Sequence, residues 1–133
     1  IDSEQALRDA VRNARTIGYS TGPSGVQLAK LFERWRIGDE IRDRIVHAKP
    51  GVPVGSLVAN GDVELGFQQL SEVLHVEGIE ILGALPAAVQ IVTIFSAGLC
   101  ETAPDPGAVR ALLDFLVSAK ADDAKRRQGM EPL

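Results

Sequence analysis

Apolar residues recur along this chain with two periods, and the periods alternate. Leu7, Ala10, Val11 and Ala14 fall at helical spacing and predict a first helix, with Asp2 or Ser3 placed to cap it. "TIGYS" follows as a short apolar strand. The helical period then returns at Val26, Leu28, Ala29, Leu31, Phe32 and Trp35, which predicts a second helix over about 24–36. "GDEIRDRI" from Gly38 predicts a short third helix before a strand at "IVHAK". The arrangement repeats with a Pro/Gly loop at 50–53, an apolar helix from Val54 to Ala59, a turn at "NGD" and a strand "VELGF" running into polar "QQLSE". After "IEILGAL", the stretch "QIVTIFSAG" is unbroken and rich in β-branched residues, so it predicts a central strand. The tail predicts two helices split near Ser118, with Gly129 as the C-cap and Pro132 beyond it. Strands alternating with helices predict an α/β fold, a mostly parallel sheet flanked by helices.

In an open parallel sheet, ligands sit beyond the carboxyl ends of the strands, where loops enter helix N-termini. By this reading three polar stretches converge there: Thr21 to Gly25 ("TGPSG"), Gly51 to Val54, and Gln68 to Ser71. The first N–H groups of a helix have no partner inside it and its dipole is positive there, so an anion fits. The plainer alternative is that Ser24 or Thr21 caps the second helix, Pro23 sets a turn and Gly25 relieves crowding. Gln68 and Gln69 can equally be a solvated helix start. The loop is not a Walker A loop, because no Lys followed by Ser or Thr comes after a second glycine at the required spacing. Glu72 and His75 stand at i and i+3 on one helical face, a spacing that more often makes a solvent-side contact than acid–base chemistry.

Composition narrows the function classes. A chain of 133 residues with 45% hydrophobic content is large enough for one core and too small for two comfortable ones, so residues 1–133 are expected to form a single α/β domain. The formal charge is −4 and the basic residues are scattered apart from Lys125, Arg126 and Arg127, which leaves no electrostatic footprint for nucleic acid. One Trp and one Tyr are too few for a base-stacking or carbohydrate platform. Cys100 is the only cysteine and is expected to be a small buried hydrophobe. With His47 and His75 far apart, no metal-ligand spacing emerges, and no cofactor is expected. No run of eighteen apolar residues exists. The chain opens "IDSEQALRDAVRNAR" without an initiator Met or a signal-like core, as expected of a processed protein or an excised fragment.

Four stretches, "GPSGVQLAKLFERWRIGDEI", "GSLVANGDVELGFQQLSEVL", "IEILGALPAAVQIVTIFSAG" and "DPGAVRALLDFLVSAKADDAKRRQGMEP", together resemble the second half of the molybdate-binding-like periplasmic solute-binding proteins. These have the type 2 binding-protein fold of ABC importers, two α/β lobes that close on a ligand. The tail is the most specific piece: an apolar helix, a small-residue break, a charged helix and "GMEP" in succession. The resemblance implies that residues 16–90 are the second ligand-binding lobe. Residues 91–133 are then the return crossover strand and the helices that normally pack on the first lobe, which is missing. Those helices lack their usual apolar seat, which invites a homodimer.

Carried over by position, the amides of Ser24, Gly25 and Val26 and of Gly51 and Val52 match second-lobe contacts to an oxyanion, with Thr21 and Ser24 hydroxyls as further donors and Gly25 permitting close approach. Gln69, beside Gln68, stands where molybdate binders place a Tyr, so an organic carboxylate suits the site as well as an oxyanion and molybdate is not assigned. The three stretches hold no Arg or Lys, which leaves binding to neutral dipoles. The function so implied is that of a periplasmic or secreted solute-binding component of an ABC importer. It captures a small anion or carboxylate and presents it to a permease, without catalytic activity. Two alternatives share the scaffold. One is an isomerase of small carboxylates, similar to aconitate isomerase, for which only Glu72 and His75 are nearby proton-transfer candidates. The other is the effector domain of a LysR-type regulator, whose usual helix-turn-helix segment is not seen.

Overall fold

A computed structural model describes residues 1–132. The chain divides into two compact units, Ile1–Val92 and the residues from Thr93 onward. In the first unit, α1 spans Glu4–Asn13, and Ser3 is its cap, accepting the Ala6 N–H on its hydroxyl at 3.1 Å. Then follow β1 (Ile17–Ser20), α2 (Pro23–Arg34), α3 (Gly38–Ile41, continued by a 3-10 turn at Arg42–Arg44), β2 (Ile45–Ala48), α4 (Val54–Ala59), β3 (Leu65–Phe67) and the four-residue α5 (Leu70–Val73). The three strands form one parallel sheet in the order β2-β1-β3.

Successive strand residues point to opposite faces, and β1 uses both. Ile17 and Tyr19 join a core cluster with Leu7 and Val11 of α1, Leu28, Leu31 and Phe32 of α2, and Trp35, Ile37 and Ile41. Gly18 faces the other way, against Val63 and Val54. A Cβ on Gly18 would lie 2.8 Å from a Val63 methyl, and one on its register partner Gly66 would lie 2.6 Å from a Val58 methyl. The paired glycines thus make the trough in which α4 sits. Helices therefore cover both faces of the sheet, as the alternation of strand and helix predicts. Of the apolar residues expected to pack from α2, only Val26 stays out, at 49% exposure. Trp35 is buried and its indole N–H donates to Glu4 Oε1 at 2.6 Å, so the ring leaves no polar atom unpaid within the core.

The end of α2 departs from ordinary chemistry. Ile37 N–H reaches the Phe32 carbonyl at 3.1 Å and Arg36 N–H the Glu33 carbonyl at 2.8 Å, the bond pair of a Schellman turn. Its left-handed residue, usually glycine, is Arg36, with φ +57°. The fully buried Ile37 anchors the turn in the core.

Two expectations are corrected. The central strand read from "QIVTIFSAG" does not form, and residues 90–98 carry no regular secondary structure. β-Branched content is a preference for a packed, pleated surface, and this segment pairs with neither edge strand of the sheet. Val92, Ile94 and Phe95 are accordingly exposed. Cys100 is exposed rather than buried. Its sulfur lies 3.2 Å from Thr102 Oγ1, and hydrogen bonding from Thr102 draws the thiol below its usual range.

In the second unit, α6 spans Pro106–Val117 and α7 spans Asp122–Arg127, with a 3-10 turn at Ala119–Ala121 between them. The Asp105 side chain caps α6 by accepting the Ala108 N–H at 2.9 Å. Ser118 turns to extended backbone and breaks the two helices, and Gly129, at φ +72°, follows α7 as its C-cap glycine. Both features were legible in the sequence.

Candidate functional site

Because the sheet is parallel, β1, β2 and β3 all end at one edge. Ser20 pairs with Ala48 and Tyr19 with Phe67, so the next residues along each strand, Thr21, Lys49 and Gln68, begin the three loops at a common level. The structure thus brings all three sequence-predicted stretches to one edge of the sheet.

The amides of those stretches are not equivalent. Val26 N–H makes the first helical bond of α2, to the Gly22 carbonyl at 3.0 Å, and is committed there. The Ser24 and Gly25 N–H groups precede that bond and meet no acceptor among the described residues. Gly22 is the N-cap and no side chain caps α2, so neither Thr21 nor Ser24 has that role. Val52 N–H is likewise committed, to the Lys49 carbonyl at 2.9 Å. Gly51 sits at φ +81° in the resulting turn, which is where its glycine is required. Gln68 Oε1 accepts the buried Gly55 N–H at 3.0 Å and thereby caps α4 from a neighbouring loop. Gln69 is the half-buried N-cap residue of α5, and its side chain makes no cap bond. Glu72 lies within α5, but the helix ends at Val73 and His75 falls beyond it, so the shared helical face is not formed. Both residues are exposed.

Gly25 relieves crowding, the plainer of its two readings. A Cβ there would lie 1.7 Å from the Ser20 carbonyl oxygen, so the glycine is needed for α2 to leave β1 at all, whatever a ligand requires. The sequence reading also missed Lys49. The strand pattern places it inside "IVHAK", whereas β2 ends at Ala48 and Lys49 opens the loop, exposed, level with Thr21. Strand period alone could not have found it, since boundaries one residue apart give the same pattern. The stretches Thr21–Gly25, Lys49–Gly55 and Gln68–Ser71 contain this one cation and no Asp or Glu, and Glu72 follows in the first turn of α5. Orphan amides, a helix N-terminus and a lysine with no carboxylate in these stretches make an edge suited to an anion. Among the described residues no three His, Cys, Asp or Glu side chains gather as a metal site.

Comparison with known proteins agrees with this architecture. A family model described as bacterial extracellular solute-binding protein matches residues 1–131. Among curated proteins, an aconitate isomerase from Pseudomonas sp is 37% identical over a 138-residue alignment that takes in all of this chain and 51% of the relative. The chain therefore spans about half the length of that relative. No solved structure matches. The expectation of a module without catalytic activity does not stand against a relative that is named as an enzyme. With its parallel sheet, flanking helices and family match along nearly its whole length, the chain belongs to the bacterial extracellular solute-binding protein family.

Proposed function

We propose that the carboxyl edge of this sheet is one wall of a cleft for a small organic carboxylate, and that the full-length protein isomerises that carboxylate. One observation carries the binding half of this reading: the free Ser24 and Gly25 amides and Lys49 stand at one edge with no acidic side chain in its three loops. The isomerase half draws on the aconitate isomerase, 37% identical across this whole chain. Shifting a double bond removes a proton from one carbon and returns one to another, so a group able to hold a proton must meet the substrate. Lys49 is the one titratable side chain in the three loops, and it is the candidate for that role on this wall. Ser24 and Gly25 amides would hold a carboxylate, and the Gln69 amide group would orient it.

The test is proton NMR of cis- and trans-aconitate with the full-length protein, alongside calorimetry. Binding with interconversion supports the whole reading. Binding without interconversion leaves the carboxylate site and removes the isomerase, and absence of binding removes both. A second reading, delivery of the solute to a membrane permease from a periplasmic or secreted location, is favoured by the family description itself. Solute-dependent association with a permease distinguishes it.

A further inference from the structure

A second concavity lies away from the strand-end loops, inside the crossover that leads from β1 through α2 and α3 to β2. It is a cleft of about 500 Å³ between the carboxyl half of α2 and the start of β2. Tyr19, Phe32 and Ile45 give it an apolar wall, and Glu33, Arg36, Asp39 and Arg42 bring charge. Three observations set it apart from an ordinary surface groove. Tyr19 is 95% buried, yet its hydroxyl bonds to no described residue and is not among the atoms sealed from solvent, so the O–H is a free donor on the cleft wall. Burial also pushes the phenol above its usual range, which keeps that proton in place. Arg42 is paired with Asp39, but Arg36 and Glu33 join no ion pair among the described residues. Finally, Arg36 occupies the left-handed position of the turn that ends α2, where glycine is usual, and it lines this cleft.

We infer that this cleft is a second ligand site, for a small apolar zwitterion such as an α-amino acid with an uncharged side chain. The carboxylate meets Arg36 and the Tyr19 hydroxyl, the ammonium meets Glu33, and the apolar side chain lies against Phe32 and Ile45. One free cation and one free anion on the same rim fit a zwitterion better than a polyanion, which Glu33 would repel. The site does not depend on the carboxylate reading of the strand-end loops.

L-leucine is the probe, with isocaproate lacking its ammonium and isoamylamine lacking its carboxylate. Tyr19 is the sole tyrosine, so the near-ultraviolet phenolate band reports on it alone. Calorimetry is expected to show L-leucine binding with both analogues at least about tenfold weaker. Saturating isocaproate, which carries no titrating ammonium, is expected to move Tyr19 ionisation to higher pH, since the O–H then donates to its carboxylate. Arg36→Gly is expected to raise the melting temperature, because glycine adopts the left-handed backbone more readily, while weakening L-leucine binding about tenfold. Tyr19→Phe weakens it as well. Lys49→Gln, at the strand-end edge, leaves it unchanged. The inference is overturned if L-leucine does not bind, if isocaproate binds as tightly, if Arg36→Gly binds like the parent, or if Lys49→Gln abolishes binding.

Discussion

Gly25 lies so close over Ser20 that a Cβ on it would stand 1.7 Å from the Ser20 carbonyl oxygen. The first turn of α2 is therefore pressed onto the last residue of β1, and this contact fixes the direction in which the Ser24 and Gly25 amides leave the sheet edge. Backbone cannot move aside as a flexible side chain can. Gly25→Ala is expected to cost about 3 kcal/mol in urea denaturation, by overpacking. Ser24→Ala removes a hydroxyl that caps nothing and is expected to change stability by less than about 0.5 kcal/mol. Ligand binding lost in Gly25 variants thus reports on folding first.

On the opposite face the same logic applies to a side-chain contact, and there it can be reversed. A methyl added at Gly66 would lie 2.6 Å from Val58 Cγ2 and 3.1 Å from Val54 Cγ1. Gly66→Ala is expected to destabilise by about 1–3 kcal/mol. Adding Val58→Ala makes room, so the double variant is expected to be more stable than the sum of the single changes predicts. Strict additivity in chemical denaturation would show that α4 does not rest on the glycine trough.

Two carboxylates tie α1 and the turn after it to the rest of the first unit. Glu40 accepts from Arg12, whose Nη2 lies 2.8 Å from Oε2, and Glu64 accepts the Arg15 N–H at 2.6 Å. Hydrogen bonding from Arg12 holds the Glu40 carboxyl below its usual range, and the Arg15 backbone N–H does the same for Glu64. A folded-state pKa below the unfolded value gives stability that is present above the ordinary carboxylate range and is lost as pH falls through the folded pKa. Melting curves of the parent and Glu64→Gln are therefore expected to differ at neutral pH and to converge in acid. The Arg12–Glu40 contribution is exposed and is expected to shrink with added salt.

How far the sequence reached follows from what its signals measure. Burial imposes period, so α1, α2, α4 and the first unit's three strands were legible from positions such as Leu7, Val11, Leu28 and Ile17. Turn chemistry placed Ser118 and Gly129 for the same local reason. "QIVTIFSAG" failed because strand formation also needs a partner edge, a tertiary condition that β-branched composition does not carry. Lys49 was missed by a boundary of one residue. The left-handed Arg36 had no signal at all, since the rule for that position looks for glycine. Of the candidate site, the convergence of three loops was readable from strand and helix order. Which amides were already used, at Val26 and Val52, depended on hydrogen bonds that the sequence does not display.

The adjacent glutamines divide the remaining work at the sheet edge. Gln68 accepts the N–H of Gly55, a residue buried in the first turn of α4, so its oxygen substitutes for the cap that Pro53 cannot supply. Gln68→Ala leaves that N–H buried and unpaired, at an expected cost of about 1–3 kcal/mol. Gln68→Glu keeps an acceptor in place and is expected to recover most of that loss. Gln69 makes no cap bond, and Gln69→Ala is expected to leave the unfolding midpoint within about 0.5 kcal/mol of the parent. If Gln69 orients a carboxylate in the full-length protein, the same substitution weakens binding about fivefold, the loss of one neutral hydrogen bond. Paired measurements of denaturation and carboxylate affinity separate the two roles. Gln69→Ala with unchanged affinity would remove Gln69 from the site, and Gln68→Ala with unchanged stability would show that α4 needs no cap from this loop.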